Sequence, residues 1–209
     1  MAEIVVIGGG GHAKVLISLL KKLDWSVLGY TDEHDRGMLL GVPYLGGDGA
    51  LPAILESHEG CAALIGVGKV DASDVRTCLQ REAGALGFRA PAVVSPHAVV
   101  NEGVTLGPGT AVFDGAVLGP GVVVGDLCIL NSHSTVEHDC RLGDNVHVAP
   151  GAVLSGDVRI GDDCMVGAGA TVIQDVFISA GSVIGAGAVV ITDIAEAGVY
   201  VGNPARRIA

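Results

Sequence analysis

The sequence predicts a small β/α domain followed by a parallel β-solenoid of hexapeptide repeats, and two observations carry that prediction. From Val94 to Val190 every sixth residue is a branched aliphatic without a break, beginning Val94, Val100, Leu106, Val112, Leu118 and ending Ile178, Ile184, Val190; a sustained period of this kind is the signature of stacked structural repeats. Ahead of the array an apolar run, a glycine cluster and an amphipathic stretch follow one another as strand, turn and helix do.

The first domain, residues 1–90, is a Rossmann-like β/α unit. Ile4–Ile7 is its first strand and Gly8–Gly11 a glycine loop. A helix over His12–Leu23 carries apolar Val15, Leu16, Leu19, Leu20 and Leu23 on one face. Ser26–Tyr30 forms a second strand, followed by Thr31, Asp32 and Glu33. A short helix is predicted near Asp48–Glu56, a strand at Ala62–Val67 and a helix from about Asp71 to Ala85. The run Gly8-Gly9-Gly10-Gly11-His12-Ala13 fits G-x-G-x-x-A, with Asp32 about twenty residues on. Backbone N–H groups at a helix start can cradle a diphosphate, and a carboxylate can hold a hydroxyl or a base. A redox dinucleotide needs a second half-domain for which the chain has no room. A sugar nucleotide is therefore the better ligand, beside the alternative of a purely structural turn.

The stretch Phe88–Pro96, with Pro91 and Pro96, joins this unit to residues 91–209. A strict period of six describes a chain that lays down one flat face of a triangular prism per repeat, so that three repeats close an 18-residue coil with each aliphatic on the axis. Two residues before the aliphatics the side chains are small or compact (Ala116, Cys128, Ser134, Cys140, Ala152, Cys164), as suits a second inward position. Glycine often follows the aliphatic, at 107, 119, 125, 143, 161, 167 and 185, and is expected there for a corner conformation. Beyond Asp193 the repeat ends, and the tail closes with Gly202-Asn203-Pro204-Ala205-Arg206-Arg207.

Composition sets the bounds. A net charge of −11 argues against nucleic acid or an anionic membrane as partner. No segment approaches the ~20 uninterrupted apolar residues of a membrane span, and Met1 leads into a strand rather than a basic signal segment, so a cytoplasmic protein is expected. Five cysteines, without paired spacing, suggest neither disulfides nor zinc. Three of them fall on the inward corner position, where they pack as small apolar groups.

Within one coil, from Leu130 to His147, lie Asn131, His133, Glu137, His138, Asp139 and His147. Such clustering of titratable groups points to catalysis. A metal reading through His97, His133 and His138 fails on geometry. Thirty-six residues are two coils, so His97 lies ~9.6 Å from the level of His133 at ~4.8 Å per coil, whereas zinc takes nitrogens at about 2.0–2.1 Å. No metal is expected. The stretches Val148–Ala152, Val166–Ala170 and Ile184–Ala188 are 18 residues apart and stack as a ladder of Gly and Ala, a shallow slot suited to a thin, amide-bearing arm such as pantetheine or to tight subunit packing. Arg141 and Arg159 stack one coil apart, and Arg206 and Arg207 add a basic end where phosphates could rest.

At these residues the chain resembles the NeuD/PglD-type sugar acetyltransferases, members of the left-handed β-helix acyltransferases. The resemblance rests on Gly8–His12 with Asp32 and Glu33, on Asn131 with Val136-Glu137-His138-Asp139-Cys140, on Val146–Gly151 and on Gly202–Ala205. It implies a left-handed parallel β-helix, acetyl-CoA as acetyl donor, and a homotrimer with sites between neighbours. It further implies that His138 is the general base and Asp139 the acid that raises its basicity. By the same resemblance His147, Ala168 and Ala186 contact acetyl-CoA, while Gly10, Gly11, His12, Asp32, Glu33, Gly66 and Asn131 face the sugar nucleotide. Gly10 stands where many relatives have Ser, and the segment Gly66–Arg76 is longer than the family pattern.

The function expected is transfer of acetyl from acetyl-CoA to the amine of a nucleotide-linked 4-amino-dideoxy sugar, in surface-glycan synthesis. The rivals are O-acetylation of a sugar such as a sialic acid and, from another class, a non-catalytic sugar-nucleotide or nicotinamide-binding module. Cys140, two residues from His138, raises the possibility of an acyl-enzyme; its inward register argues for direct transfer.

Overall fold

A computed structural model describes residues 2–209. The chain forms two units: one runs to Gly68 and resumes over Val75–Val93, and the other takes Lys69–Asp74 and Val94–Ala209.

In the first unit, β1 (Glu3–Ile7), α1 (Gly11–Lys22), β2 (Ser26–Thr31), α2 (Leu51–Ser57), β3 (Ala62–Ile65) and α3 (Val75–Leu86) follow in order. The strands make a parallel sheet ordered β2-β1-β3. β1 is central and buried throughout from Ile4 to Ile7, as its uninterrupted apolar run requires. The helix α1 buries Ala13, Leu16, Ile17, Leu19 and Leu20 against the sheet, one face at helical spacing. It ends where Lys21 and Lys22 meet the carbonyl end of the helix.

One helix starts later than the sequence suggests. The pattern predicts α3 from about Asp71, but it begins at Val75. The Asp71 carboxylate accepts the Ser73 N–H at 2.9 Å, a local turn that competes with helix initiation. Residues 69–74 instead group with the solenoid, where the His147 Nδ1–H donates to the Lys69 carbonyl at 2.7 Å.

The solenoid has three parallel sheets, one per prism face. The first face carries Ala111–Val112, Ile129–Leu130, His147–Val148, Met165–Val166 and Val183–Ile184, and is extended by Val199–Val201 and an antiparallel Arg206–Arg207. The second carries Val99–Val100, Val117–Leu118, Thr135–Val136, Val153–Leu154, Thr171–Val172 and Val189–Val190. The third carries Thr105–Leu106, Val123–Val124, Arg141–Leu142, Arg159–Ile160 and Phe177–Ile178. From Val99 to Val190 the pairings step by 18 residues, as in Thr135 against Val153 and Arg141 against Arg159, so the register agrees with the expected coil there; the closing strand pairs at a shorter step, Val183 against Val199. Leu118, Val136, Leu154 and Val172 are fully buried on the axis, and so are the compact residues Ala116, Cys128, Ser134, Cys140, Ala152 and Cys164. Each buried aliphatic contributes roughly 1.5–3 kcal/mol. The stack therefore holds without large rings.

The glycines after the aliphatics are required for a different reason from the one expected. They do not have positive φ. A Cβ on Gly119 would stand 2.6 Å from the His138 nitrogen, and one on Gly167 2.6 Å from the Ala186 nitrogen, so close approach of the next coil excludes a side chain. The left-handed residue lies two places further on. There Gly151, Gly169 and Gly187 alternate with His133, Asp139, Asn145, Asp157 and Asp175, residue types enriched in this region, and once with Leu127.

Among the described residues no helix is long and apolar enough to cross a membrane.

Candidate active site

The edge between the second and third faces presents the most chemically competent pair in the solenoid. The strand Thr135–Val136 ends at Glu137, and His138 and Asp139 form the corner, with Asp139 at φ 61°. The backbone is tied on both sides: the Asp139 N–H donates to the Pro120 carbonyl at 3.0 Å one coil below, and the His138 carbonyl accepts from the Asp157 N–H at 2.9 Å one coil above. The side chains meet in a His138 Nδ1 to Asp139 Oδ2 hydrogen bond of 2.9 Å. A carboxylate only accepts, so Nδ1 carries the proton and Nε2 keeps its lone pair. Both side chains are well exposed, at 62% and 69%.

The electrostatics suit a base. The hydrogen bond that His138 donates to Asp139 is the main cause that lifts the His138 imidazole above its ordinary range; desolvation opposes it, and the charges of Asp139, Glu137 and Asp157 add to it. Cys140 next to the pair is fully buried, its Sγ donates to the Ser155 carbonyl at 3.1 Å, and burial pushes the thiol up to about 11.

His147 is placed differently. It lies on the first face and is 8% exposed. Its Nδ1–H donates to the Lys69 carbonyl at 2.7 Å, and its Nε2 therefore accepts from the Asn131 amide at 3.1 Å. The Asn131 oxygen accepts the Ser132 N–H at 2.8 Å. Asn131 and His147 thus form one structural pair, with both ring nitrogens engaged inside the chain.

Ala168 and Ala186 are exposed at the edge between the first and second faces. Beside them Gly169 and Gly187, and Gly151 one coil below, have open space where a Cβ would project. This edge is a smooth slot of small residues with accessible backbone. Within one chain it lies across the whole second face from His138, so the structure brings His138 to Asp139 and Asn131 to His147, but does not bring His138 to His147, Ala168 or Ala186.

The first unit holds its own cavity of about 350 Å³, lined by Gly8, Asp32, Glu33 and Asp48 on a polar side and by Val67, Val75 and Leu79 on an apolar side. Gly10 and Gly11 at the start of α1 are exposed, and a Cβ added to either would meet nothing within 4 Å, so the helix start is open; His12 stands in its first turn. Asp32 organises the loop: its Oδ2 accepts the Gly9 N–H at 2.8 Å and its Oδ1 the His34 N–H at 3.0 Å, with Arg36 Nε 3.4 Å away. Partial burial pushes this carboxyl up, but those N–H groups and Arg36 outweigh it and hold it below the usual range. Glu33 is exposed beside it. Gly66 is buried, and a Cβ there would lie 2.6 Å from Val6 Cγ1 and 2.8 Å from the Gly8 carbonyl, so packing alone requires the glycine.

Sequence reasoning did not single out Gly156, over which the His138 ring lies, nor the strap Lys69–Asp74. The first was available in the 18-residue step from 138 to 156. The second had no periodic signal.

Residues 3–74 match the family model described as the PglD N-terminal domain, and residues 139–174 match the bacterial transferase hexapeptide model of six repeats. No relative among curated protein sequences matches the chain. Among solved structures, PerB from Caulobacter crescentus, in complex with CoA and GDP-perosamine, is 37% identical with a TM-score of 0.93, covering 100% of this chain and 98% of its own. The acetyltransferase domain of PglB from Neisseria gonorrhoeae, in complex with acetyl coenzyme A, is 34% identical with a TM-score of 0.90, covering 99% and 98%. WeeI from Acinetobacter baumannii is 28% identical with a TM-score of 0.87 over 100% of both chains.

Proposed function

The chain belongs to the NeuD/PglD-type sugar acetyltransferases and is an acetyl-CoA-dependent N-acetyltransferase of amino sugars on a left-handed parallel β-helix; from that premise we propose that it acetylates the amine of a nucleotide-linked 4-amino-dideoxy sugar with His138 as general base. The observation that carries the reading is the His138–Asp139 pair. In the neutral ring it leaves the Nε2 lone pair free to take a proton, on a backbone clamped by the coils above and below.

In the proposed reaction the sugar amine attacks the thioester carbonyl of acetyl-CoA while Nε2 takes the ammonium proton that forms on nitrogen. The imidazolium is stabilised by Asp139, which also fixes the ring orientation. Collapse of the tetrahedral intermediate expels the thiolate of CoA, to which the proton is returned. Acetyl passes directly between substrates, because the Cys140 thiol beside the pair is buried and faces the core.

The remaining placements are proposals on the same basis. Ala168 and Ala186, flanked by the open glycines, suit the pantetheine arm and would hold it through backbone amides. The open start of α1 at Gly10, Gly11 and His12, with the adjoining Asp32–Glu33 cavity, suits a diphosphate and its nucleoside. Gly66 supports that loop by packing. His147 would line the acetyl-CoA site and Asn131, to whose amide it is hydrogen-bonded, the sugar-nucleotide site. The second face carries the outward row Val99, Val117, Thr135, Val153, Thr171 and Val189, flat and largely apolar. We propose a homotrimer in which that face is covered and a neighbour's small-residue edge comes to His138. The enzyme would act in the cytoplasm on precursors of a surface glycan.

The test is release of CoA thiol from acetyl-CoA across UDP-, GDP- and dTDP-linked 4-amino sugars, with the product identified by mass. An N-acetylated nucleotide sugar supports the proposal. Thiol release only with a free sugar hydroxyl as acceptor overturns it.

A further inference from the structure

The His138 ring has a seat of its own. A Cβ built on Gly156, one coil above, would stand 2.5 Å from both Cε1 and Nε2 of His138 and 3.2 Å from Cδ2. These are the atoms of the ring edge that takes the proton, and all lie well inside contact distance. The backbone does not require glycine here. Gly156 is not among the residues with positive φ, and the same place in other coils is filled by Glu102, Pro120, His138 itself and Gln174.

The coil below is cleared in the same way. A Cβ on Gly121 would stand 3.0 Å from Asp139 Oδ1. Its φ of 74° does not itself require glycine, because Asp139, Asp157 and Asp175 adopt that conformation in the same column. The His138–Asp139 pair therefore lies in a notch cut by missing side chains above and below it.

We infer that Gly156 is a positioning residue of the acetyl transfer: its missing side chain forms the seat on which the His138 ring rests while paired with Asp139. The inference rests on the reading of His138 as the base. A methyl group at 156 forces the ring to swing about its χ angles, away from both the carboxylate and the position where the amine is presented. The Asp157 N–H bond to the His138 carbonyl and the Asp175 N–H bond to the Gly156 carbonyl are kept, so the backbone ties of the coil remain.

The experiment compares Gly156→Ala in the natural and the His138→Ala backgrounds. Alone, Gly156→Ala should lower kcat by about 10²-fold, the scale of a misplacement near 1 Å, with KM for both substrates changed less than about twofold. In the His138→Ala background it should change the residual rate less than about twofold. Titration of the His138 ring by NMR should give a pKa lower in Gly156→Ala than in the natural protein, since the ring loses Asp139 as its main charged neighbour and moves relative to Glu137 and Asp157. An unchanged kcat, or the same loss in both backgrounds, overturns the inference. If Gly156→Ala folds only when His138 is also Ala, the ring is what the glycine accommodates and the inference stands; if it folds in neither, the coil needs the glycine and the inference falls. Full activity of His138→Ala removes the base assignment and with it the catalytic role of Gly156, while the ring titration still reports whether the seat exists.

Discussion

Replacing Cys140 separates direct transfer from a covalent acetyl-enzyme, and the structure sets the size of the effect. The thiol is two residues from His138, the arrangement from which a ping-pong route would be built. Its side chain points into the core beside Val122 and Val158, fully buried, with its Sγ donating to Ser155. Burial pushes the thiol to about 11 from 9.0. At pH 7.5 that leaves roughly 3 molecules in 10,000 as thiolate, about a hundredfold fewer than at an unperturbed site. Cys140→Ala should therefore keep kcat within about threefold. Its cost should appear in packing, at about 1–2 kcal/mol for a small void in a close-packed core, or a few degrees of Tm in a chain of this size. Steady-state thiol release and a thermal melt measure the two effects. Intact mass after incubation with acetyl-CoA alone completes the assay, with no acetyl adduct expected. A loss of more than about a hundredfold in a folded variant, or an acetyl group on Cys140 that the amino sugar discharges, refutes the reasoning.

Asp139→Asn should move the acidic limb of the kcat profile to lower pH. His138 works as a base only when neutral, and Asp139 is the main cause of its raised pKa, so removing that charge lets the ring lose its proton at lower pH. The plateau should fall by about tenfold because the weaker base drives proton transfer less; a limb that stays in place would exclude Asp139 as the partner. His133→Ala should stay within about fivefold of the natural kcat, since that ring lies over Gly115 at the opposite edge of the second face; a loss equal to that of His138→Ala would reverse the assignment. Light scattering at micromolar concentration should give a trimer, and a fully active monomer would disprove the shared site.

The solenoid was legible in the sequence because its one rule is enforced by the axis. Val136, Leu154 and Val172 leave no alternative register, and the strand pairings from Val99 to Val190 step by the 18 residues that the array of aliphatics implies. The place of His138 followed from the same count. What escaped was whatever depends on a neighbour in space with no periodic partner. Asp71 stops a helix that apolar spacing would have allowed, because its carboxylate captures a local N–H. The strap at Lys69 and the amide of Asn131, which engage both ring nitrogens of His147, have no periodic signal either. The glycines after the aliphatics were visible; their cause, backbone approach from the next coil, needed coordinates.

The most direct measurement is the kcat of His138→Ala on its nucleotide amino sugar, taken with the affinity for acetyl-CoA by calorimetry. General-base catalysis by His138 predicts a loss of about 10²- to 10⁴-fold in kcat, the range of a general base, with acetyl-CoA bound as tightly as by the natural protein. A kcat within a few-fold of the natural value, or a loss of acetyl-CoA binding that accounts for the whole effect, would contradict it.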